Sequence, residues 1–447
     1  MKKLILYSVL VICLLALVSF SFHSYQVQKY DYDDFETPGY CNQCHDLFYQ
    51  QWDQAMMSDA YNHHWDEIEY FELAVAHSEN DPDMAGVHEG CNGCHTPMAY
   101  LAGDMPPPDP KTGPRANESV SCDVCHSIKG FEGDVPFNHN YIMEPGKTKF
   151  SSRKGKTSSP NHEIDTTAFY TKAEFCGICH NEKSPFGVWV KSTHLELKEG
   201  PYYEEGVVCQ DCHMPEAPAK TAKMGARYDD AKMHLFNGAH DPGKIRGTVE
   251  IRMTPDRQEL VPGEPVILTV TLYNQKTGHK FPTGSVEDRI VWLHVEAIDE
   301  KGNTYHLPVD PKGFEGEEYT IAGKELAYQD MGVPLGIENF EGLRREMVPV
   351  GDRIFRMPYF DPQGRMTMMQ WNTDSLGVDY RIGPRETKVE TYTFELPYEI
   401  APGTLTFRAV MNYRLLLKSV GQYLEVPEEE YQAMLVNEQE TTVTVYP

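Results

Sequence analysis

The pattern Cys-x-x-Cys-His occurs five times in the first half of this chain, and no other feature constrains so strongly what the polypeptide can fold around. The copies are Cys41-Asn42-Gln43-Cys44-His45, Cys91-Asn92-Gly93-Cys94-His95, Cys122-Asp123-Val124-Cys125-His126, Cys176-Gly177-Ile178-Cys179-His180 and Cys209-Gln210-Asp211-Cys212-His213. Two thiols three residues apart reach the two vinyl groups of one porphyrin, and the next residue then lies beneath the iron. Each copy therefore reads as a covalent attachment site for haem c, five in all, with His45, His95, His126, His180 and His213 as proximal iron ligands. A zinc ribbon would pair two Cys-x-x-Cys knuckles around one ion, which leaves an odd motif over and gives the histidines no task. Disulfides leave the histidines equally unexplained. Of the 11 cysteines only Cys13 stands outside the motifs, so none remains for a disulfide framework.

The N-terminus offers the export route that such attachment requires. Lys2 and Lys3 precede the apolar run Leu4 to Phe22, which fits a signal peptide over residues 1–22 and equally an N-terminal membrane anchor of marginal length. Cys13 follows Val11 and Ile12, whose bulk argues against lipoprotein processing, and reads as a small hydrophobe of the leader.

A net charge of -27 excludes nucleic acid as a natural partner, because a phosphate binder needs a basic face. Basic redox proteins or a membrane quinol-oxidising complex suit such a surface better. One basic stretch, Lys147, Lys149, Arg153, Lys154 and Lys156, interrupts the acidity and reads as a solvated loop or a docking loop.

The texture of the 447-residue chain changes near residue 245. Residues 23–244 hold every motif, Pro-rich turns and short helical segments, and predict a helix- and loop-rich pentahaem domain whose core is largely porphyrin. Trp52, Trp65, Trp189, Phe175 and Phe186 are its candidate packing partners. Residues 245–447 carry period-two runs at Thr248–Met253, Val266–Tyr273, Arg289–Ile298, Thr387–Leu396, Thr404–Tyr413 and Thr441–Tyr446. With turns at Val261-Pro262-Gly263 and Glu300-Lys301-Gly302-Asn303 between them, they predict an antiparallel, Ig-like β-sandwich and an α+β fold of two domains. Motif starts at 41, 91, 122, 176 and 209 alternate long and short separations, which pairs motif two with three and four with five.

The second axial ligand decides whether each haem passes electrons or binds a substrate. Outside the motifs lie His63, His64, His77, His88, His139, His162, His194, His234 and His240, with His279, His294 and His306 further on. His234 and His240 rank first, since Met233 to His240 follows the last motif and can return over the cluster; His139 and the pair His63 and His64 come next. Met57 offers a thioether for a His/Met haem, although methionine is also a common gap filler. His294 sits at an alternating strand position and reads as structural.

These residues carry a resemblance. Trp52 after the first motif, Gly90 to Pro97, Ser121 to His126 and Cys209 to Pro215 resemble the multihaem cytochromes of the c-552/c-554-like type, and Thr277-Gly278-His279-Lys280-Phe281-Pro282-Thr283-Gly284 is similar to a motif in relatives with a second β domain. The resemblance implies periplasmic or cell-surface electron transfer through mostly bis-histidine haems. Where many relatives have a histidine shortly after the tryptophan, this chain has Met56 and Met57, which leaves one ligand open. His279 stands in a turn that either reaches back as a ligand or propionate partner, or only braces the turn.

Two functions from different classes follow: an electron relay, or a reductase of a small nitrogen or sulfur oxyanion at one open haem. Pentahaem nitrite reductases share the haem number but carry the catalytic haem on Cys-x-x-Cys-Lys. Every motif here ends in histidine, and no catalytic constellation stands out, which favours the relay.

Overall fold

The structure, a computed structural model, describes residues 30–153, 159–310 and 344–447. The leader with Cys13, the basic residues Lys154 and Lys156, and residues 311–343 lie outside the described residues. No helix among the described residues is long and apolar enough to cross a membrane.

Up to Ile245 the chain forms short helices, such as Asp46–Asp53, Val87–His95 and Ala173–His180, joined by loops and small ladders. Side-chain clusters here are modest, one of them gathered around Phe35, Met98, Val124, Ile128 and Ile178. They border a cavity of about 2300 Å³, far above the roughly 300–1,000 Å³ of an ordinary small-molecule site. The polypeptide is a shell around a space that its own side chains leave unfilled.

Beyond it two antiparallel sheets face a common core. One holds Thr387–Glu395, Pro265–Asn274 and Val249–Pro255 in that order. In the other, Met434–Val445, Gly403–Arg414 and Ile290–Ile298 run side by side, and the free edge of Ile290–Ile298 is shared by Thr304–His306 and Arg353–Phe355. The period-two pattern explains the facing: Val266, Leu268, Val270 and Leu272 meet Val291, Leu293 and Val295 from one sheet layer to the next. The six strands read from sequence all exist within a few residues of their expected limits, except that the last begins earlier, at Met434. Gly263 and Gly302 sit at φ 86° and 82°, the left-handed conformation their turns demand.

Ile290–Ile298 breaks the alternation, because its other face is covered too. Ile290 and Trp292 join Trp65, Tyr70, Leu73 and Ala74 of the first half in a second core with Met366, Met368, Met369 and Trp371. Those methionines therefore fill the junction between the halves. At roughly 1.5–3 kcal/mol for each large apolar side chain buried, this cluster ties the sheets firmly to the shell. Trp371 Nε1 adds a hydrogen bond to His77 Nδ1 at 3.1 Å, and Ser184 Oγ donates to the Thr373 carbonyl at 2.7 Å.

Candidate haem cluster

Each motif cysteine pair lies on a helical turn, which puts residues i and i+3 on one face. Local sequence makes these turns. Thr37 caps the helix Pro38–Asn42 by accepting from Tyr40 N, with Pro38 at the first position, and Ser121 caps Cys122–Cys125 through Val124 N. Lysines close the other ends: Lys223 Nζ donates to the Gln43 carbonyl and Lys244 Nζ to that of Cys212, at 3.0 and 2.7 Å.

All five motifs line the one cavity. Thiols of different motifs also lie close enough to influence one another's ionisation, Cys41 with Cys122, Cys94 with Cys179 and Cys176 with Cys209. Among the described residues no three cysteines bring ligand atoms within 4.8 Å of one another.

The histidines carry the clearest geometry. His45, His95, His126 and His213 each direct Nδ1 at a backbone carbonyl, of Thr221, Ala60, Phe150 and Asn237, at 2.6, 2.6, 2.7 and 2.8 Å. A carbonyl only accepts, so the proton sits on Nδ1 and the Nε2 lone pair is left for a metal. Burial lowers the pKa of His126, and takes those of His180 and His213 down to about 4, keeping the rings neutral.

Three of these rings face a second imidazole. His45 and His162 have centroids 6.1 Å apart, His126 and His234 6.2 Å at 19°, and His213 and His279 6.5 Å at 16°. Histidine nitrogens bound about 2.0–2.1 Å from a metal on either side set two ring centroids about 6 Å apart, so the pairs fit an iron between them. The second rings repeat the anchoring, with Nδ1 directed at the carbonyls of Glu163, Lys232 and Lys280 at 3.0, 3.1 and 3.0 Å.

His279 reaches the cluster from the far side of the residue-245 boundary. Asn274 accepts from Thr277 N and Oγ1, while Thr283 Oγ1 and Lys280 N donate to Glu196 of the haem half at 2.6 and 3.2 Å. Gly278 permits the close approach: a Cβ there would stand 2.9 Å from Leu197 Cδ1.

The other candidates make different contacts, His240 and Met57 at the wall of the same cavity and His139 against Gly93 of the second motif. His240 packs on Trp65 at 6.3 Å and on His63 at 5.5 Å, and His63 Nε2 is 3.5 Å from Glu430. His139 lies against Tyr100 at 4.6 Å, with its backbone N–H on the Ile178 carbonyl. Met57 lines the cavity and its carbonyl accepts from Val120 N. His64 begins the helix His64–Ile68, and its side chain lies outside the described residues. Among the described residues His95 and His180 face no second imidazole at coaxial distance. Of the aromatic residues, Trp52, Trp65 and Phe175 line the cavity, while Phe186 is 39% exposed.

His162 belongs to no recognisable local pattern, so sequence reading left it unranked. His194 was also passed over; it is 2% exposed, with Nε2 facing no protein partner. Asn181, whose oxygen accepts from Leu195 N, donates Nδ2 to His194 Nδ1 at 2.9 Å. The proton therefore sits on Nε2, and His194 offers the cavity a donor rather than a lone pair.

Two motif glycines are explained by contact. A Cβ on Gly93 would fall 2.2 Å from His139 Cγ, and one on Gly177 would fall 2.8 Å from His194 Cγ. Gly93→Ala is expected to cost about 1–3 kcal/mol or more through overpacking, read as a lowered Tm of the haem-loaded protein; an unchanged melt would show that His139 moves freely.

The Cytochrome c554 and c-prime family matches residues 40–127, and the NapC/NirT cytochrome c family, N-terminal region, matches residues 162–249. No curated protein matches the chain. The crystal structure of a penta-haem cytochrome c552 from Thermochromatium tepidum is similar in fold over 92% of this chain and 99% of its own, with TM-score 0.61 and 18% identity. A sporulation control protein from Bacillus subtilis (12% identity, 45% of this chain and 50% of its own, TM-score 0.18) and a CARDB domain from Pyrococcus furiosus (10%, 44% and 87%, 0.19) are too remote to inform the reading. With both family matches falling on stretches that carry its Cys-x-x-Cys-His motifs, the chain is a multihaem c-type cytochrome.

Proposed function

We propose that the protein is an electron relay that holds five haem c groups, one on each motif, in the cavity those motifs line. The observation that carries this reading is the set of three facing imidazole pairs, all six rings anchored through Nδ1. On it we assign His162, His234 and His279 as second axial ligands opposite His45, His126 and His213. When bound, each haem supplies one-electron exchange between Fe(III) and Fe(II). Imidazoles on both faces occupy the positions a substrate would need, so the chain's residues favour transfer over chemistry. Burial keeps His126, His213 and His234 neutral, the carbonyl anchors fix the orientation of all six rings, and Lys149, Lys223, Lys232, Lys244 and Lys276 border the cavity, where they would offset propionate charge.

The same reading divides the chain at about residue 245 into a pentahaem domain and a sandwich of Ig-like type that supplies His279. It places the protein outside the cytoplasmic membrane, in the periplasm or on the cell surface, held there by the leader or released from it. Redox proteins or a membrane quinol-oxidising complex are its natural electron donors, given its acidic surface.

Mass spectrometry of the exported protein should show five haem additions, and the haems on His45, His126 and His213 should stay low-spin in ferric and ferrous spectra with nitrite, carbon monoxide or hydroxylamine present. Unmodified thiols, or zinc in their place, would remove the relay. A high-spin haem that binds nitrite would instead make the protein a reductase, with the His95 and His180 sites the first to examine.

A further inference from the structure

A second constellation of ligand atoms lies on the outer face of the larger sheet, away from the haem cluster. The free edge of Ile290–Ile298 is shared end to end, Leu293 pairing with Arg353 and Glu296 with His306. At the seam, His294, His306 and Asp352 bring one ligand atom each within 4.8 Å of one another. His294 Nδ1 lies 2.9 and 3.1 Å from the two Asp352 carboxylate oxygens, and His306 Nε2 lies 2.8 Å from Oδ1. The imidazoles stack at 5.0 Å and 6°.

We propose that His294, His306 and Asp352 form a binding site for a divalent transition-metal ion of the zinc type. Two imidazole nitrogens and a carboxylate are the donor set such ions favour. A bound ion takes the place of the hydrogen bonds now made to Asp352: each neutral imidazole gives the ion its lone pair and carries its one proton on the ring nitrogen that points away. The remaining nitrogen of His294 has a carboxylate nearby, since Nε2 lies 3.8 Å from Glu296 Oε2, longer than a hydrogen bond, and Glu296 in turn faces Arg408 at 3.5 Å. With the ring proton on Nε2, Glu296 would be the acceptor that orients the ring of a metal-bound His294.

The backbone holds the trio rigidly. Gly351, at φ 98°, lets the loop press against Pro308, where a Cβ would come within 2.6 Å, and its carbonyl accepts from Val309 N at 2.9 Å. The Asp352 side chain is buried, whereas those of His294 and His306 are 28% and 34% exposed. Such a site is open on one side, with a coordination position left for water.

The test uses the full haem-loaded protein, freed of loose metal by chelation, equilibrated with Zn(II) and analysed for zinc per chain. Wild type should retain one more zinc than His306→Ala, and its Tm should rise with Zn(II) while that of the variant does not. His306 lies at an exposed edge, so the variant is expected to fold with its haem spectrum unchanged. Glu296→Gln should keep the site but weaken Zn(II) binding about 10–100-fold. Equal zinc retention and equal melts for wild type and His306→Ala would overturn the proposal.

Discussion

Replacing His279 with alanine should turn one low-spin haem high-spin, although the residue stands outside every attachment motif. His279 faces His213 at 6.5 Å, and its loop lies beyond the chain positions that thioether formation requires. All five haems should therefore still attach, while the ferric spectrum gains a high-spin component and the ferrous protein binds one further equivalent of carbon monoxide. His234→Ala and His162→Ala should each do the same at a different haem. His240→Ala provides the contrast, because its ring rests on Trp65 and His63 and its loss should leave the low-spin spectrum intact. A His279→Ala protein that gained no high-spin component would remove His279 from the ligand set and, with it, the idea that the β half completes a haem.

The motifs and the strands were legible because both are local signals. A helical turn suffices to place two thiols and a histidine, and a period of two suffices to face Val266, Leu268, Val270 and Leu272 inward. The facing imidazoles were not local. His234 ranked high for its position after the last motif, yet His240, only six residues on, turned instead toward Trp65. His162 and His45 are joined by the folding of everything between them, and no neighbour of either announces the pairing. The loop Thr277–Gly284 stood out as a motif, but its purpose depends on Glu196 and Leu197, which approach it only in the tertiary structure. Ile290–Ile298 misled in a milder way. Its alternation promised one covered face, and the junction core covers both.

The ion pair between Glu196 and Arg381 should prove the costliest to break. Arg381 Nη1 lies 2.6 Å from Glu196 Oε1, while its Nε and Nη2 each lie 2.9 Å from Asp379, and both Arg381 and Glu196 are nearly inaccessible. Arg381→Ala leaves the buried Glu196 carboxylate without its guanidinium and the half-buried Asp379 with Lys280 alone. Removing one partner of such a group costs about 3–5 kcal/mol. The expected result is a clear fall in Tm, with part of the loss recovered by adding Glu196→Gln. Acid should act oppositely on the two proteins. In wild type, burial would raise Glu196 and Asp379, but Arg381 outweighs it and holds both below the usual carboxylate range, with Lys280 helping at Asp379. Carboxylates depressed in this way lend stability that is complete above the unfolded pKa of about 4 and is lost as pH falls below it. Without Arg381 burial becomes the dominant influence on Glu196, its carboxyl favours protonation more than in wild type, and lowering the pH from 7 toward 4 should stabilise the variant relative to wild type. Melting both across that range measures the gap directly. If it stayed constant with pH, Arg381 would be holding the His279 loop by packing alone, and the charge of Glu196 would have no part in seating that imidazole.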